Sequence, residues 1–149
     1  MPAKATQKDI LAFWFTEIQP QFWFKKDATF DSEIEQRFGT TVKDALAGRC
    51  DNWARHLNGC LALILLLDQF TRNIFRDNAR AFLGDDVALA LSLRCVERKY
   101  IEHPDKNWRH FMLMPMMHSE DLSIQDSALP LFKAYLDERI YGYAVAHRN

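Results

Sequence analysis

Eight consecutive apolar residues, Cys60 to Leu67 (CLALILLL), give way without a spacer to the polar run Asp68-Gln69-Phe70-Thr71-Arg72-Asn73. Such a stretch is far too short to cross a bilayer. Apolar on every side, it is stable as a helix only where other elements enclose it. The segment therefore predicts a central helix from about Asn58 to Arg72. Its abrupt change of character places the polar cluster beyond Leu67 at a cleft or at water.

The elements that enclose it follow from apolar residues recurring at three and four, with almost no period-two alternation, so the class is all-α. Thr6 with Asp9 has the form of a capping box opening a first helix, through Ile10, Leu11, Phe13 and Trp14 to a stop before Pro20. An aromatic connector, Phe22-Trp23-Phe24, follows. Asp27 or Thr29 caps a second helix with the stripe Phe30, Ile34, Phe38, Val42 and Ala45, and Gly48 is placed to end it. A fourth starts at Asp85 or Asp86 and carries Leu89, Leu93, Val96 and Tyr100 on one face. A fifth begins near Asn107 and meets Pro115, which either starts a new turn or kinks the old one. Ser123 with Asp126 opens a sixth, which contains Pro130. Short connections suggest antiparallel hairpins of successive helices, about six to seven helices in all. No residue signature recurs at the ~34-residue period of helical repeats, and no linker divides the chain, so residues 1–149 are expected to form a single domain.

Charge and composition exclude several functions. Nineteen basic against 20 acidic residues, a net charge of -1, provide no cationic surface for a nucleic-acid backbone. No secretory leader precedes the first helix, and no run suits a membrane span, so the expected location is cytoplasmic. Cys50, Cys60 and Cys95 are widely spaced and read as reduced core residues without a metal or redox role. No glycine-rich phosphate loop or nucleophile elbow is present, and no cofactor is implied.

Two segments can carry chemistry. On a continuous helix Asp68 and Arg72 lie one turn apart, as do Gln69 and Asn73, and Arg76 would extend the Arg72 row. A carboxylate near a helix C-terminus needs a cation, so Asp68 and Arg72 form either an ion pair that closes the helix or part of a site whose guanidiniums hold a carboxylate or phosphate. The second segment is His118-Ser119-Glu120-Asp121, after four methionines in Met112 to Met117. Those methionines fill a core or line a pliable pocket. Glu120, two residues from His118, would suit that imidazole to acid-base work, whereas the plainer reading has Ser119 to Asp121 cap the last helix. His-x-Glu-Asp lacks the spacing that puts two metal ligands on one helical face.

The phrases Phe13-Trp14-Phe15, Trp23-Phe24, Leu61 to Asn73, Ala81-Phe82 with Asp85-Asp86, Phe111, Pro115 and His118-Ser119-Glu120 resemble the bacterial family named domain of unknown function 924, from about Ile10 to Phe132. The resemblance implies a tetratricopeptide-like fold of helical hairpins and no established activity. It also implies a further C-terminal segment rich in Phe, Gly, Arg, Pro and His, so a chain stopping at Asn149 is expected to be truncated or an unusually short member. Two functions are then in view. One is a site for a small anionic molecule in a polar cleft between helices, with Asp68, Gln69, Arg72, Arg76 and Arg109 binding and His118 and Glu120 as catalytic candidates. The other is a scaffold whose stacked hairpins hold a peptide or protein partner.

Overall fold

The computed structural model describes residues 5–149. All regular structure among the described residues is helical, and its contacts gather into two compact units, Met1–Gly84 and Asp85–Asn149. Counting the uninterrupted stretch 57–74 once and leaving the short 3₁₀ turns aside, the described residues contain seven helical rods.

In the first unit, α1 (Gln7–Ala12) starts at the expected capping box: Thr6 Oγ1 accepts from the Asp9 amide at 3.2 Å, and Asp9 accepts from the Thr6 amide at 2.8 Å. The helix then widens into a π-helical turn, Phe13–Glu17, which stops before Pro20. The Trp23 indole donates to the Trp14 carbonyl at 2.9 Å and fastens the aromatic connector to that turn. α2 (Ala28–Leu46) is capped by Asp27, not Thr29; its stripe Phe30, Ile34, Phe38, Val42 and Ala45 is buried, and Gly48 leaves the helix at φ +82°. Glycine adopts that left-handed conformation at no steric cost.

The central rod comprises α3 (Leu57–Ile64), a π-helical section Leu65–Phe70 and α4 (Thr71–Ile74). Every residue from Cys60 to Leu67 is buried, as the all-round apolar pattern requires. The π-helical section inserts an extra residue into the turn, which rotates Asp68, Gln69 and Phe70 away from their α-helical positions. Each π-turn delivers aromatics to one cluster. Phe13 lies 5.0 Å from Phe38, Trp14 lies 5.4 Å from Phe70, and Phe38 lies 5.3 Å from Phe70, measured between ring centres. Such pairs add about 0.5–1.5 kcal/mol each beyond the area they bury.

Successive pairing does not hold throughout this unit. α1 packs on α3, while α2 packs on residues 65–70 and α4. Gly59 shows why α1 comes so near α3: a Cβ there would collide with the Trp53 carbonyl and meet the Gln7 side chain.

In the second unit, α5 (Asp85–Glu97) buries Ala88, Leu91, Ser92 and Cys95, not the expected face of Leu89, Leu93, Val96 and Tyr100. Leu93 is exposed and Tyr100 belongs to a short 3₁₀ turn. The reason is proximity: small side chains let α6 (Lys106–His118) approach, and Ser92 Oγ donates to the Met112 carbonyl. Asp105 caps α6, which runs through Pro115, and Met112, Met116 and Met117 are core residues.

α7 (Leu122–Tyr135) is capped by Asp121, which accepts from the Ser123 amide and hydroxyl; the expected Ser123–Asp126 box is absent because Ser123 already lies inside the helix. Pro130 is accommodated without ending it. α8 (Glu138–Arg148), capped by Asp137, was not expected. Antiparallel order is written in the hydrogen bonds: Arg109 near the start of α6 reaches the Tyr135 carbonyl at the end of α7, and Gln125 early in α7 reaches the Ser119 carbonyl after α6. Arg148 at the end of α8 likewise pairs with Asp126 near the start of α7.

Candidate functional site

The polar residues that follow Leu67 are almost wholly buried: Asp68, Gln69, Thr71 and Asn73 all lie inside the first unit. Burying a carboxylate costs several kcal/mol unless it is paired and hydrogen-bonded. Asp68 meets that demand locally, accepting from Gln69 Nε2 at 2.8 Å and from Arg72 Nη1 at 3.3 Å. The same Arg72 nitrogen donates to the Asp68 backbone carbonyl at 2.7 Å, which satisfies one of the acceptors a helix end leaves over. Thr71 Oγ1 donates to the Leu67 carbonyl at 2.9 Å. The one-turn relation between Asp68 and Arg72 is therefore present, in the form of a charge-assisted pair that closes the rod.

Arg76 does not extend the Arg72 row. α4 ends at Ile74, and Phe75 turns the chain at φ -107°. From the connection Arg76 reaches back to α2 and grips Asp31 with both arms of its fork, Nε to Oδ2 at 2.6 Å and Nη2 to Oδ1 at 3.0 Å. Asn73 adds a third donor to Asp31 Oδ1 at 2.8 Å, instead of meeting Gln69. The bidentate bond raises the pKa of Arg76 above its ordinary value. Asp31 is the member of this cluster that sequence reasoning missed; an acid in the first turn of a helix is adequately explained by the helix dipole and so attracts no notice.

The turn beyond carries further charge. Lys26 pairs with Asp77 at 3.4 Å at the surface, and Asp77 takes a left-handed φ of 63°. The Arg72 guanidinium carbon stands 5.4 Å from the centre of the Phe82 ring, within cation-π range.

Arg109, His118 and Glu120 belong to the second unit. Arg109 donates to three backbone carbonyls, Tyr135 at 2.8 Å, His103 at 2.8 Å and Pro104 at 3.0 Å, and so works as a strap between α6 and α7. His118 is the last residue of α6 and is half-buried, whereas Glu120 is exposed. The turn around them is held by its own groups: Ser119 Oγ accepts from the Asp121 amide, and Gln125 Nε2 donates to the Ser119 carbonyl at 2.6 Å. Hydrogen bonds from Ser123 hold the Asp121 carboxyl below the usual range.

The sequence did not single out a further histidine of this unit. His110 lies in α6 against Phe111 and Phe132, and burial pushes its pKa down to about 4. No group of three or more His, Cys, Asp or Glu able to hold a metal ion occurs among the described residues, and no helix among them is long and apolar enough to cross a membrane.

The all-helical architecture and the DQF-x-RN and HSE phrases define a recognisable class. The chain belongs to the family described as "Bacterial protein of unknown function (DUF924)", which matches residues 10–149. Among solved structures it is similar to a protein of unknown function from Agrobacterium tumefaciens, with 33% sequence identity and a TM-score of 0.89 over 95% of this chain and 80% of that one. No curated protein matches.

Proposed function

We propose that the chain binds a small anionic molecule at the charged turn that follows the central rod, with Arg72 and Arg76 as the recognising groups. One observation carries the reading. In both ion pairs the carboxylate faces inward and the guanidinium outward: the Asp68 side chain is 1% exposed against 24% for Arg72, and Asp31 is 14% exposed against 30% for Arg76. Each guanidinium keeps part of its surface in water while its partner carboxylate lies deeper. Guanidiniums already fixed by buried partners lose little freedom on binding a carboxylate or phosphate, which is the advantage of a preorganised fork. Gln69, Asp68, Asn73 and Asp31 are then positioning groups.

Titration calorimetry with inorganic phosphate and with acetate at low ionic strength tests this. The expected result is saturable binding that weakens about tenfold in Arg72→Lys and in Arg76→Lys, since each keeps its charge and loses the planar guanidinium that its carboxylate partner holds in place. Melting curves without added anion establish that both variants remain folded. Binding that is absent from the native protein, or that is indifferent to both substitutions, would remove the proposal.

A further inference from the structure

The face of α5 opposite the one packed on α6 is apolar in the middle and charged at its ends. Helix geometry places Asp86, Val87, Ala90, Leu93 and Arg94 within an arc of about 120° centred on Ala90, across the helix from the buried Ala88, Leu91, Ser92 and Cys95. Val87 is 51% exposed and Leu93 40%, and Asp86 and Ala90 are exposed as well. The helix dipole explains an acid near the start of α5 and a base near its end. It does not explain two apolar side chains left in water between them, and an exposed apolar patch rimmed by charge is the mark of an interaction surface. Arg94 is half-buried, and its Nε is shut off from water with no hydrogen-bond partner among the described residues. Neither Arg94 nor Asp86 has an ion-pair partner among them.

This face complements itself about Ala90. Val87 stands three residues before that alanine and Leu93 three after, while Asp86 stands four before and Arg94 four after. A two-fold axis at Ala90 that lays a second α5 antiparallel on the first brings Val87 level with the second copy's Leu93 and Asp86 level with its Arg94, each pairing occurring twice. A parallel arrangement would instead set acid against acid and base against base. We propose that the chain forms a homodimer by antiparallel packing of α5 on α5, with Ala90 at the crossing. The small side chain there lets the two helices approach closely. Val87 and Leu93 supply the apolar contact, and the charges supply the register. One helix pair is small beside a standard interface, so the dimer is a reversible one that dissociates on dilution.

Sedimentation velocity of the whole chain, at concentrations rising to the millimolar range, is expected to show monomer giving way to dimer. Ala90→Glu sets two like charges at the crossing and is expected to weaken association about tenfold or more. Asp86→Arg alone and Arg94→Asp alone each place like charges level with one another and are expected to do the same. The double exchange, Asp86→Arg with Arg94→Asp, is expected to restore the dimer, a recovery that requires the two positions to meet across the axis. Melting curves in dilute solution establish that the variants fold, and Asp86→Arg and Ala90→Glu carry the test at exposed positions should Arg94→Asp melt early. A native chain that sediments as a monomer at every concentration overturns the proposal. A dimer indifferent to Ala90→Glu overturns it too, because that dimer pairs through another face. So does a dimer that neither single charge reversal weakens, or one that the double exchange leaves unrestored.

Discussion

Acidification should weaken the second unit through His110. Its imidazole is held neutral inside α6, with a pKa of about 4 against an ordinary 6.5, chiefly through burial; Asp137 opposes that shift and Lys106 adds to it. Because the folded-state value is depressed, the unfolded chain binds the proton first as pH falls below 6.5, and stability declines until the folded form also protonates near 4. Below both values the full difference is about 3 kcal/mol, and most of it is realised between pH 7 and pH 4.5. The carboxyls of Asp121 and Asp137 are themselves held below their ordinary 3.8 by hydrogen bonds, so their contribution is lost only at lower pH and does not confuse this window. Urea denaturation of the native protein and of His110→Phe from pH 7.5 to 4.5 measures the effect. The variant should lose most of the decline across that window. A variant whose stability falls with pH as steeply as the native chain, or a His110 ring titrating near 6.5 by NMR, would refute the reasoning.

Other expectations concern the site and its supports. Asp31→Ala, Arg76→Ala and the double variant should show a coupling of about 1–3 kcal/mol in a double-mutant cycle, since the pair is bidentate and partly buried. Arg72→Met should destabilise by roughly 3 kcal/mol, because it strips the cation from a buried carboxylate, and replacing Asp68 by Asn in the same chain should recover part of that loss. Gly84→Ala should cost about 1–3 kcal/mol in denaturant unfolding, as the methyl must displace the Leu67 backbone. Thr6→Ala should cost about 1 kcal/mol by removing the cap of α1.

What the sequence disclosed depended on whether a residue type has one physical explanation or several. The rod from α3 to α4 was legible because Cys60 to Leu67 has no polar side to expose, and the capping box at Thr6 because two side chains answer each other. The two π-turns were not, since no residue type marks where a helix takes in an extra residue; what they achieve is visible only in space, where Phe13 and Trp14 meet Phe70. The buried face of α5 was misread because leucines outweigh Ala88, Ser92 and Cys95 in any hydrophobic pattern, while close helix packing selects small side chains. α8 was overlooked because Gly142 and the exposed Tyr143 dilute its apolar face, which consists of Ile140 and Ala144. At the site, the pairing of Asp68 with Arg72 follows from helical spacing, but Arg76 escapes it once the helix stops at Ile74, and a partner 45 residues away in α2 has no local trace. His110 went unnoticed for a related reason: its low basicity comes from apolar neighbours, not from a charged motif.

The triple grip of Arg109 has a dynamic consequence. One guanidinium holds carbonyls on both sides of the α6–α7 hairpin, from the loop before α6 and from the last turn of α7. Fraying at Tyr135 gives up the Nε bond and loosens the guanidinium that also holds His103 and Pro104. Amide hydrogens of the last turn of α7 should exchange together with those at the start of α6, although 26 residues of chain separate Arg109 from Tyr135.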